Sequence, residues 1–192
     1  VKAAIRFLRA HAAEYKLDPN RFASCGDSAG GYYVVMAAAT QNNPAFEDLS
    51  MGWAEYSSAV SAVVSWFGCF DMLRIRQTVP ADSPLADPNF PDIDKALLGA
   101  PSTDIEGLMY FTNPINFITS DFPPIYVTHG TADVIVSVEQ SILLAEKLKA
   151  VLPAEKYEVE ILEGFNHGGF EMRWNEKEYI DKTFTFLDRF MK

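Results

Sequence analysis

A serine in a glycine-rich turn is the first feature of this sequence that suggests chemistry. Gly26-Asp27-Ser28-Ala29-Gly30, followed by Gly31, matches the pattern G-x-S-x-G and lies between a predicted strand at 21–25 and a predicted helix at 29–40. A serine hydroxyl is a poor nucleophile and must be exposed at a tight turn to meet a base and a substrate. Small residues two places before and after Ser28 let the strand and the helix approach closely. The Ala29 amide, at the helix N-terminus, is placed to donate to an oxyanion.

A nucleophilic serine needs a base, and the sequence offers three histidines. His11 lies on the first predicted helix, where a surface or packing role is expected. His129 ends an apolar segment just before Gly130, which predicts a buried histidine with a satisfied hydrogen bond. His167 lies in a glycine-rich loop at 164–169, after the last predicted strand. Because active sites of parallel sheets gather at the carboxyl ends of the strands, His167 is the predicted base.

The base in turn needs a carboxylate that fixes its tautomer. Asp133 comes just past the end of a predicted strand at 125–129, and we predict that it is the acid. Two rivals stay open. Asp71 follows an earlier strand, whereas Glu163 lies close to the base and is expected to have a structural or solvated role. With Asp133, the order along the chain is nucleophile, acid, base.

Hydrophobic periodicity predicts the elements that position these groups. The predicted helices lie at 2–17, 29–40, 138–150 and 175–191, and the predicted strands at 21–25, 59–67, 125–129 and 156–162. Ser137 and Gln140 predict a capping box that opens the third of these helices. The alternation of strands and helices predicts one α/β domain over residues 1–192, with a mostly parallel sheet and helices on both faces.

Two further features have an open role. The segment 68–123 holds seven of the chain's 11 prolines, and only short helices, at 92–98 and 104–109, fit it. It is either an irregular insertion that covers a site or a plain long connection. Near the predicted base, Phe165, Phe170 and Trp174 either line an acyl or aryl pocket or belong to the core.

The composition narrows the class of protein. The 192 residues are 48% hydrophobic, which is typical of a globular domain, and the formal net charge is −10. Such an acidic chain repels phosphate backbones and anionic lipid, so neither a nucleic acid nor a membrane is the expected partner. No apolar run is long enough to span a bilayer. Cys25 and Cys69 are too few for a disulfide framework or a structural zinc site, and both are expected to be buried free thiols.

These motifs resemble those of a known family. The segments 26–31, 129–133 and 166–168 look like those of α/β-hydrolase esterases and lipases, most similar to the feruloyl-esterase-like and hormone-sensitive-lipase-like branches. Residues 18–21 and 113–115 also match, so the resemblance spans nearly the whole chain. It implies the α/β-hydrolase fold and ester hydrolysis through an acyl-enzyme by the serine, aspartate and histidine named above. No metal or organic cofactor is required for that chemistry.

The sequence departs from that family in one respect. The family carries a His-Gly-Gly loop well upstream of the serine, which supplies further oxyanion donors, and no such motif precedes Gly26. We therefore expect that the first strands of the complete fold are missing, and that the chain is a fragment or is completed by another segment or chain. Loss of one oxyanion donor lowers the rate by about 10²–10³-fold, so the departure puts the activity of these residues alone in doubt.

Three functions stay open at this point. The sequence favours a serine carboxylesterase acting on small acyl or aryl esters, among them acetylated or feruloylated carbohydrates. A prolyl-oligopeptidase-like serine peptidase has a similar order of catalytic residues, but Asp27 and the pair Gly30-Gly31 favour the esterase. The third function is an inactive hydrolase-fold binding module. The expected partner is a small-molecule ester, and a homo-oligomer stays open.

Overall fold

A parallel sheet forms the centre of the protein. The computed structural model describes residues 1–89, 93–100, 104–168 and 171–191. In these residues the strands are β1 Ala23–Asp27, β2 Ala62–Trp66, β3 Ile125–Gly130 and β4 Tyr157–Leu162. They lie in the order β1-β2-β3-β4, and all pairs are parallel. The register sets Asp27 beside Trp66 and Trp66 beside Thr128, so the loops that follow the first three strands leave the sheet side by side.

Helices connect the strands of the sheet. The described helices are α1 Lys2–Ala10, α2 Ala12–Tyr15, α3 Ala29–Ala39, α4 Met72–Thr78, α5 Ile93–Leu98, α6 Glu106–Thr112, α7 Glu139–Val151 and α8 Lys177–Phe190. The prediction of one continuous helix over 2–17 is wrong, because the chain turns at His11, whose Nδ1 bonds the Phe7 carbonyl at 2.8 Å. The sequence also did not predict α4, whose first amides, at Leu73 and Arg74, are capped by the Asp71 carboxylate.

Both faces of the sheet are covered by helices, which confirms the predicted α/β fold. On one face the core combines residues of α3 and α7 with residues of β2 and β3: Val34, Val35, Leu144, Leu148, Val63, Ile125 and Val127. On the other face Phe186 of α8 packs with Val64 and Tyr126. The neighbours Val63 and Val64 point to opposite faces, and each is at most 1% exposed. β2 is therefore buried on both faces, as its short apolar run predicts.

Two buried side-chain amides hold the start of the segment between β2 and β3, one from α7 and one from later in the segment. Gln140, which is fully buried on α7, accepts hydrogen bonds from the amides of Phe70 and Asp71 at 2.8 and 2.7 Å. Asn113 accepts from the Met72 amide at 2.8 Å and donates to the Asp71 carboxylate at 3.0 Å. Loop amides that would otherwise be buried without a partner are thereby satisfied.

The capping box predicted at the start of α7 is wrong. The helix begins at Glu139, and its N-cap residue Val138 makes no side-chain capping bond. The Ser137 hydroxyl accepts a hydrogen bond from the Glu139 amide at 3.3 Å, but Gln140 points into the protein toward the loop at 70–71. The Gln140 side chain therefore makes a tertiary contact instead of the capping bond that the local pattern predicted.

The expectation of two buried free thiols holds for only one of them. Cys69 is buried in an apolar cluster with Tyr32 and Met109, and burial raises the pKa of its thiol to about 11. Cys25 is free but exposed, because it lies on β1, at the edge of the sheet. The sequence shows that a strand is apolar, but it does not show whether another element covers it.

Candidate functional site

The serine lies in a strained turn between β1 and α3. Ser28 has φ 51° and ψ −121°, a conformation that residues with a Cβ rarely adopt. The turn is tied to the neighbouring strand, because the Ser28 amide donates to the Trp66 carbonyl at 2.9 Å. This backbone places Ser28 at the carboxyl end of β1. The strand–turn–helix context predicted for the motif is confirmed.

Two glycines make this turn sterically accessible, and only one of them belongs to the five-residue motif. A Cβ on Gly26 would lie 2.3 Å from the Gly30 carbonyl oxygen, so the predicted close approach of strand and helix is real. A Cβ on Gly30 itself would meet only an Asp27 carboxylate oxygen, at 3.9 Å. The second tight position is Gly31, where a Cβ would lie 2.6 Å from the Ser65 hydroxyl. Space is therefore required at the first motif glycine and at the residue after the motif.

A continuous chain of hydrogen bonds joins the predicted nucleophile, base and acid. His167 Nε2 lies 2.8 Å from Ser28 Oγ, and His167 Nδ1 lies 2.7 Å from Asp133 Oδ2. The residues come from three loops at one edge of the sheet, and the serine and histidine are 139 positions apart in the chain. Since a carboxylate accepts only, Nδ1 carries the proton. Nε2 is left to accept from the serine hydroxyl.

The carboxylate of Asp133 is buried and surrounded by donors. Its side chain is fully buried, and Oδ1 accepts from the amides of Ile135 and Val136, both at 2.8 Å. Burial raises the pKa of this carboxyl, but hydrogen bonds from His129 and His167, together with backbone amides, outweigh burial and lower the pKa to about 2. Asp133 is therefore ionised at neutral pH, as the partner of a histidine base must be.

Asn166 is a site residue whose role the sequence did not reveal. Its side-chain oxygen accepts from the Val134 amide at 3.1 Å and from the His167 amide at 2.7 Å. Its own carbonyl accepts from Trp174 Nε1 at 2.7 Å. One amide group thus joins the loop that carries Asp133 to the loop that carries His167. The Asn-His-Gly segment carried part of the family resemblance, but the contact depends on a loop distant in sequence.

His11, His129 and Glu163 lie where their alternative roles predict. His129 is fully buried and hydrogen-bonded on both ring nitrogens, to Ser141 Oγ at 2.7 Å and to the Val136 carbonyl at 2.9 Å. His11 packs on Trp53, with 5.7 Å between ring centroids. Glu163 is exposed. The structure therefore brings neither His11 nor Glu163 to Ser28. The carboxylate of Asp71 caps the N-terminus of α4.

An aromatic wall supports the imidazole of His167. The Phe67 ring lies 4.7 Å from it, centroid to centroid, in an edge contact, and Phe67 itself has φ 40°.

Phe165 is a buried core residue, which decides between the two roles expected for it. Trp174, also buried, lines a cavity of about 430 Å³ together with Trp66 and nine other residues: Cys25, Gly26, Asp27, Val64, Phe67, Gly168, Glu171, Asn175 and Thr183. Phe170, the other aromatic residue considered, lies outside the described residues.

Ala29 is the first residue of α3. Its amide is therefore among the four N–H groups that have no acceptor within their own helix. In the described part of the chain, no group of three or more His, Cys, Asp or Glu side chains is arranged to hold a metal ion. Over the same ranges, none of the helices combines the length and apolarity needed to cross a membrane.

A parallel sheet between helices, with a serine on a strained strand-to-helix turn bonded to a histidine and an aspartate from later loops, defines an α/β-hydrolase fold. The model of the BD-FAE family matches residues 1–148, and the chain belongs to that family. The resemblance to feruloyl-esterase-like hydrolases is thereby confirmed.

Similar proteins are known among curated sequences and among solved structures. The probable carboxylic ester hydrolase LipM of Mycobacterium tuberculosis is 32% identical over 152 residues, which cover 79% of this chain and 33% of LipM. A bifunctional GH43-CE protein of Bacteroides eggerthii is 33% identical with a TM-score of 0.78, covering all of this chain and 26% of that one. A truncated carbohydrate esterase from gut microbiota is 28% identical with a TM-score of 0.79, and the match covers 100% of this chain and 67% of that one. The chain spans about a third of the length of LipM and of the M. tuberculosis esterase LipQ.

Proposed function

We propose that the chain is the catalytic part of a serine carboxylesterase in which Ser28 is the nucleophile, His167 the base and Asp133 the acid. The observation that carries the proposal is the unbroken hydrogen-bond chain from Ser28 Oγ through His167 to Asp133, with contacts of 2.8 and 2.7 Å. Relatives named as ester hydrolases support the reaction class.

Acylation uses the hydrogen bonds that join Ser28, His167 and Asp133. His167 Nε2 takes the Ser28 hydroxyl proton as Oγ attacks the ester carbonyl carbon. The new charge on the imidazole is stabilised by the Asp133 carboxylate, which is ionised because its pKa is held at about 2. The carbonyl oxygen becomes an oxyanion, and the Ala29 amide at the start of α3 donates to it.

Collapse of the tetrahedral intermediate breaks the bond between the acyl carbon and the alcohol oxygen. His167 returns its proton to that oxygen, and the alcohol leaves with the acyl group on Ser28. A water molecule then attacks the acyl-enzyme after giving a proton to Nε2, and a second collapse releases the carboxylic acid and restores the serine hydroxyl. Every proton is exchanged through one imidazole nitrogen, so no other acid or base is required.

We propose an ester of a carbohydrate as the substrate class. Two of the similar structures belong to proteins described as a carbohydrate esterase and a GH43-CE protein. The cavity lined by Gly168, the residue after His167, is also lined by the aromatic residues Trp66 and Trp174 and by the acidic residues Asp27 and Glu171. Apolar surfaces with a few polar groups are typical of small-molecule sites, and carboxylates accept hydrogen bonds from sugar hydroxyls.

The test is hydrolysis of p-nitrophenyl acetate by the protein and by its Ser28→Ala and His167→Ala variants. Each substitution is expected to lower kcat by about 10⁴-fold or more, since members of such a triad act as a unit. Ser120→Ala is the matched control, because it removes the hydroxyl of an exposed serine that has no part in the mechanism. Wild-type rates in Ser28→Ala would refute the proposal.

Covalent labelling separates the nucleophile from the choice of substrate. An activated phosphate triester such as paraoxon is expected to add one diethylphosphoryl group to Ser28, detected as a mass increase on the peptide that contains it. Labelling that persists in Ser28→Ala would contradict the proposed nucleophile. Hydrolysis of a peptide substrate faster than of an acetylated oligosaccharide would contradict the proposed substrate class.

A further inference from the structure

We propose that His129 is a positioning residue for the acid of this site: it donates from Nε2 to Asp133 and holds the carboxylate toward His167. The inference rests on the proposed function, since it adds a part to the same site. The distances form one chain: 2.8 Å from Ser28 Oγ to His167 Nε2, 2.7 Å from His167 Nδ1 to Asp133 Oδ2, 3.2 Å from that oxygen to His129 Nε2, and 2.7 Å from His129 Nδ1 to Ser141 Oγ.

The neighbours of His129 fix which ring nitrogen carries the proton. Nε2 lies 2.9 Å from the Val136 carbonyl oxygen and 3.2 Å from Asp133 Oδ2. Both atoms accept only, so Nε2 must carry a hydrogen, which bonds to the Val136 carbonyl and has Asp133 Oδ2 beside it as the longer contact. Nδ1 then accepts the hydroxyl hydrogen of Ser141. Since His129 and Ser141 are both 0% exposed, solvent does not replace either contact.

Asp133 consequently receives donors on both oxygens and from two sides. Oδ1 is held by the amides of Ile135 and Val136, and Oδ2 is shared by the rings of His167 and His129. These two histidines are the titratable groups that face the carboxylate in the described part of the chain. Because His129 comes from β3, packed against α7 through Ser141, the acid is tied to the sheet as well as to its own loop.

The position of His129 has a consequence for the base. A donor that shares Oδ2 weakens the pull of the carboxylate on the Nδ1 hydrogen of His167 and limits rotation of the carboxyl group. Without that donor, the carboxylate becomes a stronger acceptor for the imidazolium of His167. The protonated, inactive ring then persists to higher pH, and its orientation toward Ser28 is less restricted.

The experiment compares His129→Leu, which removes both ring nitrogens, with His129→Gln, whose side-chain amide can donate toward Asp133 and accept from Ser141. In His129→Leu, kcat for p-nitrophenyl acetate is expected to fall by about 10- to 100-fold, the cost of one hydrogen bond to a charged group. KM should change by less than about twofold, and the acidic limb of the pH–rate profile should move to higher pH. His129→Gln should recover most of kcat and the wild-type limb.

Gln140→Leu is the matched structural control, because it removes a buried polar side chain next to Ser141 on α7 that contacts the loop at 70–71. It is expected to lower stability while leaving the acidic limb at its wild-type pH. If His129→Leu likewise loses only stability and keeps the wild-type kcat per folded molecule, His129 has a packing role alone and the proposal is overturned.

A spectroscopic measurement tests the proposal without turnover. Nitrogen-15 NMR of the histidine rings in the wild-type protein should show His129 protonated on Nε2 with Nδ1 accepting, and a proton on Nδ1 alone would overturn the proposal even if no variant folds. If the wild type does not hydrolyse esters, the proposed function fails. A shift of the His167 Nδ1–H resonance in the folded His129 variants still supports the positioning role, and an unchanged resonance overturns it.

Discussion

The strongest steric prediction concerns the two glycines of the G-x-S-x-G motif, which the structure makes unequal. A Cβ on Gly26 would lie 2.3 Å from the carbonyl oxygen and 2.4 Å from the carbonyl carbon of Gly30. These are backbone atoms in the first turn of α3, so relief requires moving the helix away from β1 by about 1 Å. Overpacking of this kind costs about 3 kcal/mol. Gly26→Ala is therefore expected to lower the free energy of unfolding by about that amount and to displace Ser28 from His167.

Gly30→Ala is the matched comparison, since it adds the same methyl group to the same motif. Its Cβ would meet one side-chain oxygen at 3.9 Å, and alanine is a better helix residue than glycine, so stability should rise by about 0.5 kcal/mol. Gly31→Ala should be destabilising, because its Cβ would lie 2.6 Å from Ser65 Oγ and 3.0 Å from Gly68 Cα. Equilibrium unfolding in guanidinium chloride measures all three. Equal stabilities of Gly26→Ala and Gly30→Ala would refute the steric argument.

Two further predictions concern buried polar groups. The pKa of Asp133 is lowered from its ordinary value of 3.8 to about 2, so its contribution of about 2 kcal/mol is present above pH 4 and lost as the pH falls toward 2. Urea unfolding from pH 2 to 7 should show this slope in the wild type, and Asp133→Asn should lack it; identical slopes would contradict the assignment. Gln140→Leu leaves the amides of Phe70 and Asp71 buried without an acceptor, and thermal or urea unfolding should report a loss of about 3 kcal/mol. A loss below 0.5 kcal/mol would show that the loop at 70–71 finds other partners.

Elements whose pattern is local and unbroken could be predicted from the sequence. β2 and β3 are short apolar runs between turn signals, and their burial requires cover on both faces, which is what the sheet and helices supply. The failures at Gln140 and Cys25 depend on the tertiary structure. Gln140 matched a local capping pattern, but its amide satisfies a loop 70 residues away in the chain. Cys25 matched a buried strand, but β1 is an edge strand. His11 interrupts a helix that its hydrophobic periodicity extends without a break.

The sequence by itself determined which residues are candidates for the site, because the proposed nucleophile, acid and base need particular side chains at the ends of successive strands. Ser28, Asp133 and His167 carry that requirement in their types, their order and their neighbouring glycines. The tertiary structure alone decided how the three groups are held. The contacts of Asn166, Phe67 and other supporting residues join loops far apart in the chain, and such contacts depend on distances that arise only when the sheet assembles.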